Sequence, residues 1–156
     1  MHEGVVSFLQ YAKTLNYKIK IHTNGMFYER LKTILAQKLV DHVSLDIKNA
    51  PSAYAKTCGV EDMDLKDIEK SLDLLKQSVV PYDICVTLVD ELHNQATIEE
   101  LGQWIQGVDT VILQPFEDSE TTIDHSLHRP SFEVVLKYKK IFEKYVKHVK
   151  IRGDQE

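Results

Sequence analysis

Apolar positions along the chain fall alternately into helical and strand periods. Val5, Phe8, Leu9 and Ala12 recur at helical spacing, a Leu15-Asn16 break follows, and the run YKIKIHTNG then reads as a strand closed by a turn. Leu31, Ile34, Leu35 and Leu39 form the next apolar helical stripe, ahead of the strand-like HVSLDIK. Asp64 is placed to cap a helix through Leu65, Ile68, Leu72 and Leu75, after which YDICVTLV is a further strand. Ile98, Leu101, Trp104 and Ile105 mark another helix before TVILQPF. A last helix starts near Pro130 and Ser131, runs through Tyr145 and leads to the strand-like HVKIRG.

Strands separated by single amphipathic helices must pair in parallel through right-handed crossovers, because a tight turn cannot join neighbouring parallel strands. The predicted class is α/β, with one domain over residues 1–156 and no linker or low-complexity stretch. Parallel sheets bury both faces, and polar residues near strand carboxyl ends are where such folds place ligands. Residues 117–129 are polar and read as a loop. The first pattern is a helix with no strand before it, so the sheet is expected to have been joined midway, with an open edge.

Composition narrows the classes. The 156 residues are 43% hydrophobic and 28% charged, enough for one apolar core. Twenty-four acidic against 19 basic side chains give a formal charge of -5, which argues against a broad nucleic-acid surface. No apolar run approaches the ~20 residues that span a bilayer, and Met1-His2-Glu3-Gly4 lacks the features of a signal peptide, so a cytoplasmic protein with no membrane partner is expected. The only cysteines, Cys58 and Cys85, lack a metal-ligand spacing and are read as buried small hydrophobes.

Asp46 and Lys48 stand two apart in HVSLDIK, so both project from one face of the strand while Val43, Leu45 and Ile47 occupy the other. Opposite charges sharing a strand end suit a zwitterionic ligand with an amine and a carboxylate; a self-satisfied ion pair is the plainer alternative. In HTNG, Asn24-Gly25 makes a turn that leaves His22, Thr23 and Asn24 at a strand end, and by itself it is an ordinary turn. Of seven histidines, only His125 and His128 have a spacing that could bring two imidazoles to one metal, and exposure beside Asp124 explains them equally. Trp104, Phe132, Tyr138, Phe142 and Tyr145 are read as packing, and the lysines from Lys137 to Lys147 as the solvated face of the last helix.

Taken in order, HTNG, LVDHVSLDIKNAPSAY, YDICVTLV, ILQPF and VKIRG resemble the radical S-adenosylmethionine enzymes that activate glycyl radical enzymes. The likeness is strongest to anaerobic ribonucleoside-triphosphate reductase activating proteins, with pyruvate formate-lyase activating enzymes next, and it covers nearly the whole chain. It implies the carboxyl-terminal portion of a partial (βα)6 TIM-like barrel, with S-adenosylmethionine across strand carboxyl ends and a 4Fe-4S cluster at the barrel mouth. The implied partner is a glycyl radical enzyme of the anaerobic ribonucleotide reductase or pyruvate formate-lyase type. Asp46 and Lys48 match the family's Asp-Ile/Leu-Lys pair, Thr23 and Asn24 its TNG turn, and Gln114 with Phe116 the segment after the last barrel strand. Thr23, Asn24, Asp46, Lys48 and Gln114 are thereby the candidate cofactor contacts, with no catalytic or metal-ligating residue assigned.

The same resemblance implies departures. The family's CxxxCxxC and Gly-Gly-Glu motifs are absent from these 156 residues, His22 stands where an aspartate is usual, Cys85 where many relatives have an arginine, and Glu117 where pyruvate formate-lyase activators have a histidine. The chain is therefore expected to lack the cluster ligands and to be inactive alone. The alternative is a non-catalytic, degenerate half-barrel that docks onto a partner chain. A third reading makes Asp46 and Glu117 the acid and base of an unrelated small α/β enzyme.

Overall fold

The computed structural model describes residues 4–153. Its elements run α1 (Val5–Thr14), β1 (Lys20–Thr23), α2 (Tyr28–Ala36), β2 (His42–Asp46), α3 (Pro51–Thr57), α4 (Lys66–Lys76), β3 (Tyr82–Leu88), α5 (Gln95–Trp104), β4 (Thr110–Pro115), α6 (Phe132–Phe142) and β5 (His148–Ile151). The strands form one sheet in the order β1-β2-β3-β4-β5, so the alternating pattern read from the sequence does produce a parallel α/β architecture. No helix among the described residues is long and apolar enough to cross a membrane.

Two compact units divide the chain, and β3 begins in the first and continues in the second. The first comprises residues up to Asp46 together with Asp64–Asp83. In it β1 lies parallel to β2, with Lys20 opposite His42 and Thr23 opposite Leu45. Leu31 and Ile34 of α2, Ile68, Leu72 and Leu75 of α4, and Val43 and Leu45 of β2 are buried together as its core, and α2 packs on α4. Each such aliphatic side chain contributes about 1.5–3 kcal/mol when fully removed from water. Asn16, at a φ of 60°, takes the left-handed conformation that stops the chain after α1, as the Leu15-Asn16 break predicts.

The second unit comprises Ile47–Met63 and residues from Ile84 onward. Here β3, β4 and β5 are parallel, with Ile84 opposite Val111, Thr87 opposite Gln114 and Thr110 opposite His148. Helix α6 packs on α5, β4 and β5, burying Val135, Ile141 and Phe142. Helix α5 starts with a reciprocal cap: Asn94 Oδ1 accepts the Thr97 amide at 3.1 Å, and the Asn94 amide donates to Thr97 Oγ1 at 3.1 Å. Ser131 caps α6 by accepting the Val134 amide at 3.3 Å.

Four expectations need correction. Helix α3 was not anticipated; Pro51 at its first position and Ala50 extended before it explain the start, since proline's fixed φ suits a first helical turn. Asp64 does not occupy the cap position of α4, which Leu65 takes; its Oδ1 accepts the Lys66 amide at 3.0 Å from one residue further out. Cys58 is exposed at the carboxyl end of α3, whereas Cys85 is buried as expected. Phe132, read as packing, is 56% exposed at the first position of α6, ahead of the buried Val135 and Tyr138.

The sheet also departs from the rule that parallel strands bury both faces. In the second unit Ile84, Val86, Leu88, Val111 and Leu113 are fully buried on one face, while of the alternate positions Cys85 is buried, Thr87, Ile112 and Gln114 are half-buried, and His148 and Lys150 are exposed. This second face is mixed rather than wholly apolar, and Gln114, near the carboxyl end of β4, is the candidate contact it carries.

Candidate functional site

In the first unit, the residues at the carboxyl ends of β1 and β2 are Thr23 and Asp46. Thr23 is buried, and its Oγ1 accepts the Gly25 amide at 3.2 Å; Asn24 is exposed, and its Oδ1 accepts the Met26 amide at 3.2 Å. These are local side-chain turns of the kind Thr and Asn favour, so both side-chain oxygens already serve the TNG backbone. Gly25 has a φ of +78° and its carbonyl accepts the Ser71 hydroxyl at 2.8 Å, which ties the turn to α4. Asp46 is half-buried, with Oδ1 shielded from solvent and accepting no hydrogen bond, although the residue itself is engaged.

At the opposite ends of the same strands lies a second polar cluster. Asp83, 4% exposed, accepts from Lys20 Nζ at 3.1 Å, from His42 Nε2 at 2.6 Å and from the Ser44 hydroxyl. Burial pushes the Asp83 carboxyl up, but the hydrogen bonds from Ser44, His42 and Lys20 outweigh it and hold the group below the ordinary 3.8. Ser, His and Asp meet here without forming a nucleophile relay, because hydroxyl and imidazole both turn to the carboxylate rather than to each other. Its place at strand amino ends matches the face of parallel α/β folds that serves stability. Sequence reasoning missed it; the alternation of His42, Ser44 and Asp46 on one face was the available signal.

In the second unit Lys48 follows the end of β2 and Gln114 is the penultimate residue of β4. The Lys48 amide donates to Tyr54 Oη at 3.4 Å, and its carbonyl accepts His93 Nε2 at 3.1 Å. Asn49, fully buried, donates through Nδ2 to the Leu92 carbonyl at 2.7 Å and to Thr57 Oγ1 at 3.0 Å, and its Oδ1 accepts the Ala50 amide at 2.8 Å. Gln114 Oε1 accepts Arg152 Nη1 at 2.5 Å and lies 3.9 Å from Cys85 Sγ. Arg152 thereby fixes the amide of Gln114, an arrangement no sequence spacing announces.

The loop after β4 pairs two of its acidic side chains internally and one of its histidines with the turn after β3. Glu117 meets Arg129 at 3.1 Å, Asp118 meets His125 at 2.9 Å, and Glu91 meets His128 Nδ1 at 2.5 Å. The Glu91 carboxylate raises the His128 pKa, and the hydrogen bond from His125 lowers that of Asp118. His125 and His128 thus face different carboxylates. Among the described residues no group of three His, Cys, Asp or Glu side chains could hold a metal ion.

Comparison with known proteins bears on the fold and the family relationship. No protein-family model matches the chain. A Methanocaldococcus jannaschii protein described provisionally as a glycyl-radical enzyme activating enzyme is 27% identical over 155 residues, covering 96% of this chain. The chain spans 65% of the length of that curated relative. Among solved structures, a domain of a pyruvate-formate lyase-activating enzyme from Bacteroides vulgatus superimposes with a TM-score of 0.73 at 16% identity, covering 97% of this chain and 91% of that one. A radical SAM methyltransferase from Sphaerobacter thermophilus gives 0.72 at 14% identity, over 88% of this chain and 42% of that one. At such identities the structural matches speak for the fold, and function rests on the site.

Proposed function

From the radical S-adenosylmethionine family relationship that these relatives support, we propose that this chain supplies S-adenosylmethionine-binding strand ends of an activating enzyme. That enzyme installs a glycyl radical on a partner of the anaerobic ribonucleotide reductase or pyruvate formate-lyase type. The observation that carries the reading is the placement of Asp46 and Gln114 at carboxyl ends of parallel strands, where α/β folds collect their ligands.

The residues present fit one of the two implied groups. Asp46 offers a carboxylate for the methionine ammonium, Lys48 an ammonium for its carboxylate, and Gln114 an amide already oriented by Arg152. Thr23 and Asn24 serve through the turn they build, which holds the end of β1 in place. In the family, S-adenosylmethionine would supply a hydrogen-abstracting radical on taking one electron from a reduced 4Fe-4S cluster. The 4Fe-4S cluster does not fit: the sequence holds two cysteines, one exposed on α3 and one buried on β3, and three thiolates are required. These 156 residues are therefore proposed to bind S-adenosylmethionine without cleaving it.

Titration calorimetry with S-adenosylmethionine tests the reading. The chain is expected to bind, and Asp46→Ala and Lys48→Ala are each expected to weaken binding by about tenfold, the effect of losing one charged hydrogen bond. Unchanged affinity in both variants overturns it, as does a chain that takes up no S-adenosylmethionine. Anaerobic reconstitution with iron and sulfide should leave the chain without cluster absorbance; a cluster would overturn the account of its donors.

A second reading, a non-catalytic half-barrel docked on a partner chain, draws on the polar strand positions that remain exposed, Lys20 and His22 in one unit and His148 and Lys150 in the other. Light scattering after mixing with a glycyl radical enzyme separates the two. A stable complex formed by a chain with no affinity for S-adenosylmethionine favours docking.

A further inference from the structure

His93 is 4% exposed and lies outside every motif that suggested a function. Its two ring nitrogens have different partners. Nδ1 lies 3.1 Å from both the Val89 amide and the Val89 carbonyl, and Nε2 lies 3.1 Å from the Lys48 carbonyl. A carbonyl can only accept, so Nε2 carries a proton toward Lys48, while Nδ1 faces one donor and one acceptor of Val89 and accepts from the amide when the ring is neutral. One neutral tautomer satisfies both bonds, and burial lowers the imidazole pKa in its favour. The His93 backbone is itself held, its amide donating to the Val89 carbonyl at 3.1 Å and its carbonyl accepting the Tyr138 hydroxyl at 3.0 Å.

The other end of this bridge is Lys48. The parallel ladder ends at the Ile47 amide, which donates to the Cys85 carbonyl at 3.0 Å, so Lys48 lies just past its support. Side chains take over: Tyr54 receives the Lys48 amide, His93 holds the carbonyl, and Asn49 ties the next residue to Leu92. A lysine whose backbone groups are both fixed by buried side chains has its Cα–Cβ direction fixed as well.

We propose that His93 is a positioning residue for S-adenosylmethionine, acting by locking the Lys48 backbone to the turn after β3 so that the Lys48 ammonium meets the ligand carboxylate. This rests on the reading that Lys48 contacts S-adenosylmethionine. The related function of Tyr138 differs, because its hydroxyl supports the His93 carbonyl and not the ring.

The experiment uses the full chain and two readouts, hydrogen–deuterium exchange over residues 47–50 and S-adenosylmethionine affinity by calorimetry. His93→Leu removes both ring bonds; it should speed exchange of the Lys48 amide and weaken binding by about tenfold, as does Lys48→Ala. His93→Gln, whose terminal amide can donate to the Lys48 carbonyl and accept from Val89, should restore both. Tyr138→Phe should lower the melting temperature without changing affinity. If His93→Leu does not fold, His93→Asn replaces it, since its shorter amide keeps the Val89 bond and cannot reach Lys48. A folded His93→Leu or His93→Asn that binds normally while Lys48→Ala does not would overturn the positioning role and leave the site reading standing. Normal binding by Lys48→Ala would overturn both.

Discussion

Gly25 shows how much a single position decides at a strand end. Its φ of +78° is one that side chains rarely adopt, and an added Cβ would lie 2.9 Å from Leu45 Cδ1 and 3.4 Å from the Ile68 backbone. Leu45 has 0% exposure and no space to move into. Gly25→Ala is therefore expected to destabilise the chain by about 2–5 kcal/mol, the sum of a left-handed non-glycine residue and an overpacked core contact. Gly59 provides the control: its φ is +71° but nothing stands within 4 Å of the added carbon, so Gly59→Ala carries only the conformational cost of about 1–2 kcal/mol. Urea midpoints of the two variants measure the difference, and equal losses would show that contact with Leu45 is not the controlling effect. The Asn24-Gly25 turn was legible in the sequence because its chemistry is local. That Thr23 and Asn24 use their oxygens within the turn was not, since the same residue types face a ligand or their own backbone with no change of pattern.

The helix-strand alternation was readable for a similar reason at the next scale: the apolar period of each element reflects one buried face, and nearly every such segment became the expected element. Helix α3 escaped because seven residues are too few to show a helical period, and Pro51 after Asn49-Ala50 resembles a loop as much as a first turn. The fit between α5 and α6 was also hidden. Gly102 is a poor helix former in the last turn of α5, and by propensity alone Gly102→Ala should stabilise the helix by up to about 1 kcal/mol. The packing reverses that sign. A Cβ there would lie 2.4 Å from Tyr145 Cδ2, and the ring cannot swing aside freely because its hydroxyl donates to Glu99 Oε2 at 2.8 Å. Gly102→Ala should destabilise by about 1–3 kcal/mol in thermal or urea unfolding. Adding Tyr145→Leu should recover part of the loss, and a stabilised single variant would mean that propensity outweighs the contact.

For the chain as a whole, family resemblance was legible through five strand-end segments in order, whereas the network around Lys48 was not, because His93 lies 45 residues away and meets it only through folding. That network gives the molecule a pH dependence whose sign follows from the direction of one shift. Burial lowers the His93 pKa below its ordinary 6.5, so as the pH falls through that value the unfolded chain takes up a proton that the folded chain resists. Stability is full above pH 6.5 and declines below it until the folded form is also protonated. The Glu91–His128 pair acts in the opposite sense, since the carboxylate raises the His128 pKa and favours the folded state when protonated, but both groups are exposed and solvent screens them. Asp83, held below 3.8 by its three donors, adds a further loss only at lower pH. Trp104, the single tryptophan, stacks edge-on against Tyr54 at 6.0 Å in the unit that contains His93, so its fluorescence reports the relevant unfolding. Its urea midpoint should fall between about pH 7.5 and about pH 5, the range in which histidine changes charge. His93→Gln, which keeps the hydrogen bonds but cannot take up the proton, should flatten that decline. A decline of the same size in the His93→Gln chain would place the titrating group elsewhere and remove the basis for a neutral, bridging His93.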